Sequence, residues 1–457
     1  MSTELEAALA PPPATRGRTS VAAGSVARSL AEATWAAFSL VTGVIVARHL
    51  GAAGKGMVSS IGYLAALVGP AVTLGIGEAG VTLTRSRGES VRDAVRTTLA
   101  LVTVASVAGA ALLVGFIVLQ FSNEMDHLEG ATLSAVVSVP AMGTWYALAL
   151  LIEAEGGLLA TSAIKVLIAV VTLIATAVLV LHFQLAVAGA VAAMAGGFLV
   201  GALLMAAWLW RYRGAVPMPR FKPSFLREAL PIGIPIQGSY LLVALAARAD
   251  LLIVQLIKGS TAAGFYSVAL TMGQVVAYGP VALSAASFPV AAGFRLKEVV
   301  PFIERAGRTA VAAGVVCAIV FLPALPVVLP LLFGAGFSSA VAVSVVLVPA
   351  GVLHGLQWIT CRLWAAQGRG ALLAVSSAVS LVSLIALALV LVPAEGAMGA
   401  GIASLASSAL GTAVALGGHI RFASGHGSLR GFLPGVADFQ QIARLPQVAW
   451  RRLSSSR

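Results

Sequence analysis

The chain has 457 residues, of which 59% are hydrophobic and only 10% are charged, and its formal net charge is +12 at pH 7. Soluble domains carry about 25% charged residues, so this composition excludes a soluble globular protein and predicts an integral membrane protein.

The predicted elements are helices long enough to cross a bilayer, since a hydrocarbon core about 30 Å thick needs roughly 20 apolar residues per crossing. Residues 1–22 are rich in proline and polar residues, and a disordered cytoplasmic N-terminus is predicted there. Twelve apolar segments follow, at 23–48, 57–83, 97–121, 130–152, 160–181, 185–210, 229–257, 262–292, 305–332, 337–366, 370–393 and 396–420. The predicted fold class is an all-α polytopic membrane protein.

Basic residues are sorted between alternate loops. They are dense after the second, sixth, eighth and tenth segments and in the C-terminal tail, whereas the other loops hold only Arg48, Lys55 and Lys258. Cytoplasmic loops of membrane proteins are enriched in lysine and arginine. Both termini are therefore predicted to be cytoplasmic, and the positive charge reflects membrane topology, so that no nucleic-acid partner is expected.

The sequence shows no motif of an enzyme. A membrane glycosyltransferase or polymerase usually needs a substantial outer domain with acidic groups, but the predicted outer loops are short. No metal-binding, nucleophile or phosphate-loop pattern is visible. We therefore predict no catalytic residue, no metal site and no cofactor, and we interpret Cys317 and Cys361 as small core residues.

An internal repeat divides the chain. "GAAGKGMVS", from Gly51, and "GSTAAGFYS", from Gly259, share G-x4-G-x2-S at a separation of 208 residues. Two weaker pairs, at Gly156 and Gly368 and at Gly189 and Gly399, have nearly the same separation.

The repeat predicts two six-helix bundles of the same orientation around a central cavity, as in transporters with parallel repeats. The bundles are expected at 23–210 and 229–420, with a basic cytoplasmic linker at 211–228 and a basic cytoplasmic tail at 421–457. Such an architecture suits alternating access.

Two stretches carry a family resemblance. "VARHLGAAGKGMVSSIGYLAALVGPAVTLGIGEAGVTLTRSRG" resembles the start of the bacterial polysaccharide flippases, with a leucine-glycine turn and a glycine-rich outer loop. "LREALPIGIPIQGSYLLVALAARADLLIVQLIKGSTAAGFYSVALTMGQVVAYGPVALSAASFPVAAGF" is similar to the seventh and eighth helices of that family. The family belongs to the multidrug/oligosaccharidyl-lipid/polysaccharide exporter superfamily, and the resemblance covers about 23–420.

The resemblance implies a flippase of the bacterial cell membrane. Such a protein moves an undecaprenyl-pyrophosphate-linked oligosaccharide from the inner to the outer leaflet for cell-surface polysaccharide synthesis. Its partners would be that lipid, the membrane lipids and the polysaccharide polymerase machinery. The alternatives are a cation-coupled exporter of small amphiphilic molecules, and a lipid II flippase, which usually carries two additional helices.

Charged residues inside a predicted crossing are the first site candidates, because a charge at the bilayer centre costs about 2.5–3.5 kcal/mol on insertion scales. Arg248 and Asp250 lie in the seventh segment. A guanidinium suits a pyrophosphate headgroup, so Arg248 is predicted to contact substrate. Positions i and i+2 point to different faces, so Asp250 is expected either to brace a neighbouring helix or to carry a coupling cation.

Two polar stripes give the remaining substrate-binding candidates. His354, Trp358 and Arg362 are spaced i, i+4, i+8 on the tenth segment, where an indole would stack on a sugar and the cations would meet phosphate. The alternative reading is packing, with Arg362 reaching the inner headgroups. Gln274 and Tyr278 continue a stripe from Ser267 and Thr271 on the eighth segment, and suit either glycan hydroxyls or hydrogen bonds between helices.

Two acidic residues complete the predictions. Glu78, in "GIGEAG", is a candidate for gating or cation coupling. Arg28 and Glu32, four residues apart near the inner end of the first segment, can pair on one helix face, and we interpret them as anchoring charges rather than transport residues.

Overall fold

A computed structural model describes residues 18–87, 90–121, 128–214, 218–436 and 438–440, and these residues form helices joined by short turns. Residues 1–17 of the predicted disordered N-terminus lie outside the described residues. The first helix already begins at Arg18, within the segment predicted to be disordered. The helices are α1 (Arg18–Ala71), α2 (Ile76–Arg87), α3 (Val91–Phe121), α4 (Glu129–Ala154), α5 (Leu158–Thr176), α6 (Ala186–Arg213), α7 (Pro223–Ala292), α8 (Leu296–Phe333), α9 (Ala340–Ala366), α10 (Ala371–Glu395) and α11 (Ala397–Phe422).

Ten helical stretches of the described residues are long and apolar enough to cross a membrane. The two longest, of 55 and 63 residues, each contain a sharp bend at a glycine with positive φ: Gly51 at 64° and Gly259 at 77°. Each of these stretches therefore holds two helices, which gives twelve crossings in the described ranges. The loops predicted at 49–56 and 258–261 are each replaced by a turn at a single residue, Gly51 and Gly259.

The two bends bring the helices that follow them into backbone contact. A Cβ atom built on Gly56 would lie 1.8 Å from the carbonyl oxygen of Ser260, and one built on Gly264 would lie 1.9 Å from that of Ala52. The four residues occupy equivalent positions of the sequence repeat, so the crossing is symmetric. Small residues at a helix crossing let the backbones approach closely.

Contacts between helix ends define one face of the molecule, which we call the corner face because it contains Gly51 and Gly259. The Arg48 guanidinium donates to the carbonyl oxygen of Leu332 at 2.7 Å, and the Lys258 ammonium donates to that of Pro393 at 2.7 Å. Both cations therefore satisfy carbonyl groups at C-terminal helix ends, which have no partner within their own helix.

The opposite face, called the linker face, contains the connection between α6 and α7. There Lys222 Nζ lies 3.0 Å from Asp93 Oδ2 on α3. The two halves of the chain approach closely near this face as well, since a Cβ on Gly75 would lie 2.1 Å from the carbonyl oxygen of Gly233. The non-helical part of the predicted linker is shorter than 211–228, because α6 ends at Arg213 and α7 begins at Pro223.

The chain after α11 folds back onto the linker-face end of α8. Glu304 accepts a hydrogen bond from the backbone N–H of Ser428 at 2.6 Å, and Arg308 Nε lies 3.0 Å from Asp438 Oδ2. The first part of the predicted tail is thus held against the helices, and residues 441–457 lie outside the described part.

Apolar side chains pack as several clusters, some within one half of the chain and some across both halves. One cluster joins α1 and α3–α6 and includes Ile61, Leu113 and Ile117, all fully buried. Another joins α7, α9, α10 and α11 and includes Val254 and Ala388. The division at 23–210 and 229–420 remains a prediction.

Candidate functional site

Two cavities lie between the N-terminal and C-terminal helices. The first, of about 550 Å³, has lining residues on both sides of the Gly51 bend, among them Val46 and Lys55, and we call it the corner-side chamber. The second, of about 380 Å³, is lined by residues further from the bends, and we call it the linker-side chamber. Both volumes fall in the range of small-molecule sites in proteins, about 300–1,000 Å³.

Arg248 lines both chambers. Trp35, Ala247 and Leu270 are the other residues that the two linings share, so Arg248 stands at their boundary. Its guanidinium donates a hydrogen bond to the side-chain carbonyl oxygen of Gln274 on the second helix of α7. The structure thus places Arg248, a predicted substrate contact, in the cavity lining. Its hydrogen-bond partner there, Gln274, is itself a predicted substrate contact.

Asp250 lies outside both linings and is fully buried. One carboxylate oxygen accepts a hydrogen bond from the Tyr266 hydroxyl at 2.6 Å, and the other accepts one from the backbone N–H of Leu251 at 2.8 Å. Asp250 and Tyr266 stand on opposite sides of the Gly259 bend, so this hydrogen bond ties the two helices of α7 together. This geometry matches the bracing alternative for Asp250.

The stripe on α9 divides between cavity and packing. His354 lines the linker-side chamber, which Trp358 and Arg362 do not. The Trp358 indole N–H donates to the Ser284 hydroxyl at 3.2 Å, and the Arg362 guanidinium lies 4.8 Å from the centre of the Phe288 ring. Trp358 and Arg362 therefore join α9 to the end of α7.

The stripe on the second helix of α7 runs along both chambers. Ser267 and Thr271 line the corner-side chamber, and Gln274 and Tyr278 line the linker-side chamber. Tyr278 is half exposed. All four side chains face space between the two halves, whereas a purely structural stripe would face a packed helix.

Glu78 stands on α2, away from the chambers. One carboxylate oxygen accepts a hydrogen bond from the Tyr146 hydroxyl at 3.1 Å, and the other is buried without a hydrogen-bond partner in the described residues. The structure does not bring Glu78 together with the other predicted site residues.

Three lining residues were missed by the sequence analysis. Lys55 lines the corner-side chamber, Lys165 lines the linker-side chamber, and Trp35 lines both. Lys165 Nζ lies 2.6 Å from Glu32 Oε1 and 5.6 Å from the centre of the Trp35 ring. The signal for Lys165 was present in the sequence, because it is a charge inside a predicted crossing, as Arg248 is.

Arg28 and Glu32, which could pair on one helix face, each pair with another residue. Arg28 instead pairs with Glu153 on α4 at 2.7 Å, and Glu32 pairs with Lys165 on α5. Each side chain reaches an oppositely charged group on a neighbouring helix. The two ion pairs therefore join α1 to α4 and to α5.

The charge of the chambers is positive. Their charged lining residues are Lys55, Arg248, Lys165 and Glu32, of which the last two neutralise one another. Two cations remain without a carboxylate in the lining. An anionic group that entered would therefore find uncompensated positive charge in surroundings where water screens it weakly.

Comparisons with known proteins bear on the fold. No protein-family model matches the chain, and no curated protein matches it. Among solved structures, an inward-facing conformation of a multidrug resistance MATE family transporter of the MOP superfamily matches with a TM-score of 0.70 and 16% identity, over 85% of this chain and 94% of that chain.

Two further structures match over similar lengths. An outward-facing conformation of a multidrug resistance MATE family transporter matches with a TM-score of 0.59 and 16% identity, over 90% of this chain and 97% of that chain. A MATE structure in the bent conformation gives a TM-score of 0.56 and 16% identity, over 89% and 95%. The chain therefore has the all-helical, multi-pass fold of the MATE transporters of the MOP superfamily.

Proposed function

We propose that the protein exports an amphiphile with an anionic polar part, and that this amphiphile is a lipid-linked oligosaccharide of cell-surface polysaccharide synthesis. The observation that carries the proposal is the excess of positive charge at Lys55 and Arg248, between the two halves of a transporter fold. A pyrophosphate carries several negative charges, and guanidinium and ammonium groups are the side chains that bind phosphate groups.

The fold supplies a route for such a substrate. Its polar headgroup would pass through the chambers while the polyprenyl chain stays among the membrane lipids, because a buried charge costs several kcal/mol in hydrocarbon and an apolar chain does not. After release at the outer leaflet, the oligosaccharide would be available to polymerase machinery. A lipid II flippase would use the same headgroup chemistry and differs in the lipid that it carries.

Two observations favour an inward-open conformation of the protein in this structure. The TM-score is higher for the inward-facing relative than for the outward-facing one, 0.70 against 0.59. The crossing of Gly56 and Gly264 closes the corner face, while Tyr278 of the linker-side chamber is 47% exposed. On this proposal, substrate enters from the linker face and leaves at the corner face by alternating access.

The first experiment measures lipid-linked intermediates in cells that lack the protein. We expect undecaprenyl-pyrophosphate-oligosaccharide to accumulate and one surface polysaccharide to be lost, and lipid extraction with mass analysis detects both. Complementation with Arg248→Ala should fail, and Arg248→Lys should restore part of the transport at most, because lysine keeps the charge but loses the two-pronged donor.

The matched control is Arg211→Ala, because Arg211 is exposed near the linker face and lines neither chamber. It should complement fully. Normal levels of lipid-linked intermediates in the deletion strain would refute the proposal that the protein is a flippase. Accumulation of lipid II alone would show that lipid II, and not the lipid-linked oligosaccharide, is the substrate.

The second candidate function is export of small amphiphilic molecules, as the names of the structural relatives suggest. The corner-side chamber is partly apolar, with Trp35, Met194 and Phe198 in its lining. This composition favours the export of small amphiphilic molecules. It predicts that deletion leaves surface glycan unchanged and increases sensitivity to amphiphilic dyes. Given the sign of the chamber charge, anionic dyes should show the larger effect.

A further inference from the structure

Lys55 differs from the other cations of the chambers in its surroundings. It stands four residues beyond the Gly51 bend and lines the corner-side chamber. A Cβ atom built on Gly43 would lie 3.4 Å from Lys55 Nζ. The ammonium therefore lies against the first helix of α1, at a glycine that has no side chain. Among the described residues, no hydrogen bond or ion pair involves this ammonium.

The other two cations are already engaged. Arg248 donates to Gln274, and Lys165 pairs with Glu32. Lys55 and Arg248 both line the corner-side chamber. An ammonium without a partner in a poorly solvated site is unfavourable, and an anion that enters the chamber would relieve this cost.

The corner-side chamber that Lys55 lines also contains several hydroxyl groups. Ser39, Thr42, Ser59 and Thr172 all belong to the lining of the corner-side chamber. Hydroxyl groups both donate and accept hydrogen bonds, so they match the hydroxyls of a sugar. A site with one unpaired ammonium among hydroxyls has the donors and acceptors that an acidic sugar requires.

We infer that Lys55 forms a second anion site, separate from Arg248, that binds a carboxylate on the sugar part of the substrate. This inference rests on the proposed function, and it adds that the transported glycan contains an acidic sugar. One carboxylate carries one negative charge and so balances one ammonium, whereas a phosphate monoester carries about −1.5 to −2. Arg248, at the boundary between the chambers, would remain available for the pyrophosphate.

The test compares two probes on the purified full-length protein in detergent. Both are farnesyl-pyrophosphate-linked disaccharides, one ending in glucose and the other in glucuronate, and isothermal titration calorimetry gives each Kd. We expect the protein to bind the glucuronate probe about tenfold more tightly, as for a charge-assisted hydrogen bond in a poorly solvated site. Lys55→Gln should remove this preference because it should weaken the binding of the glucuronate probe alone. Lys55→Arg should keep the preference.

The matched control is Lys258→Gln, because Lys258 donates to the Pro393 carbonyl at the corner face and lines neither chamber. This variant should retain the tenfold preference. Equal binding of the two probes by the unchanged protein, or equal weakening of both in Lys55→Gln, would overturn the second anion site and leave the proposed function standing. Failure of both probes to bind would overturn the proposed function and this inference with it.

Discussion

Asp250 is a buried acidic residue whose hydrogen bond with Tyr266 joins the two helices of α7. Its two oxygens accept hydrogen bonds from Tyr266 and from the backbone of Leu251, and it lies two residues from a cavity-lining arginine. Because i and i+2 point to different faces of a helix, Arg248 can face the chambers only if Asp250 faces the packed side.

Removal of the Tyr266 hydroxyl should destabilise the protein. Tyr266→Phe leaves a fully buried carboxylate oxygen without its donor, which costs about 1–3 kcal/mol, so we expect a clearly lower midpoint of thermal unfolding in detergent. Tyr278→Phe is the matched control, because the Tyr278 side chain is half exposed and has no hydrogen bond in the described residues. Equal midpoints for the two variants would contradict the bracing role of Asp250.

The residues of the site were only partly predictable from the sequence. A charge within an apolar segment identifies Arg248, and the same criterion identifies Lys165 when it is applied to the fifth segment. The sequence predicts a loop at Lys55, since three glycines in the six residues 51–56 indicate a turn. The chain instead bends at Gly51 alone, so Lys55 lies on a helix and reaches the chamber.

At the scale of the elements, the crossing of Gly56 and Gly264 holds the corner face closed. The two helices meet backbone to backbone, and Ser60 and Gln255 form a hydrogen bond of 3.2 Å beside the crossing. Opening of this face would require the helices to separate here. The glycines permit a closed state in which almost no space remains between the main chains.

A single methyl group at this crossing should shift the protein toward an open corner face. Gly56→Ala places a Cβ atom where only 1.8 Å is available to the Ser260 carbonyl oxygen, so the helices must move apart. We expect Ser59→Cys, in a background without Cys317 and Cys361, to react several-fold faster with an impermeant thiol reagent in intact cells when Gly56→Ala is present.

The control for this prediction is Gly196→Ala on α6, because a Cβ there would meet nothing within 4 Å. It should leave the labelling rate of Ser59→Cys unchanged. If both alanine variants label at the same rate, the crossing is not the closure of the corner face.

Sequence reasoning located the helices better than the contacts between them. Apolar length gave the number of crossings, and the repeat found Gly56 and Gly264 as equivalent positions, but nothing in the letters states that equivalent positions touch. Apolar length misplaces a helix end where the end of the helix is charged. The segment predicted from 305 is part of α8, which begins at Leu296. The stretch "RLKEVVPFIER" is too polar to be recognised as membrane-spanning, yet it is helical from Leu296 onward.

At the scale of the whole molecule, the two faces carry different chemistry. Arg48 and Lys258 of the corner face are both used to satisfy helix-end carbonyl groups, so this face offers little free positive charge. The linker face holds the basic linker and the helix ends near Arg295, Arg369 and Arg421. These are the charges from which the sequence predicts a cytoplasmic linker face, and this orientation stays a prediction.

Membrane orientation can be read from two exposed positions. In the background without cysteine, Phe183→Cys, in the connection between α5 and α6, should react with an impermeant thiol reagent in intact cells, because this residue is 60% exposed. Met218→Cys in the linker, where the side chain is 66% exposed, should react only after the cells are opened. The reverse pattern would invert the proposed direction of transport.

The bends at Gly51 and Gly259 also impose a requirement of handedness. Their backbone angles, φ 64° with ψ −168° and φ 77° with ψ −175°, are mirror images of conformations that L-residues adopt readily. A Cβ at either position would meet nothing within 4 Å, so space is not the obstacle to a side chain. An L-alanine would be strained there by its chirality alone, whereas a D-alanine, introduced by chemical ligation, would fit the same bend. The chain thus turns back into the membrane at two points where only an achiral residue, among the genetically encoded ones, is free of strain.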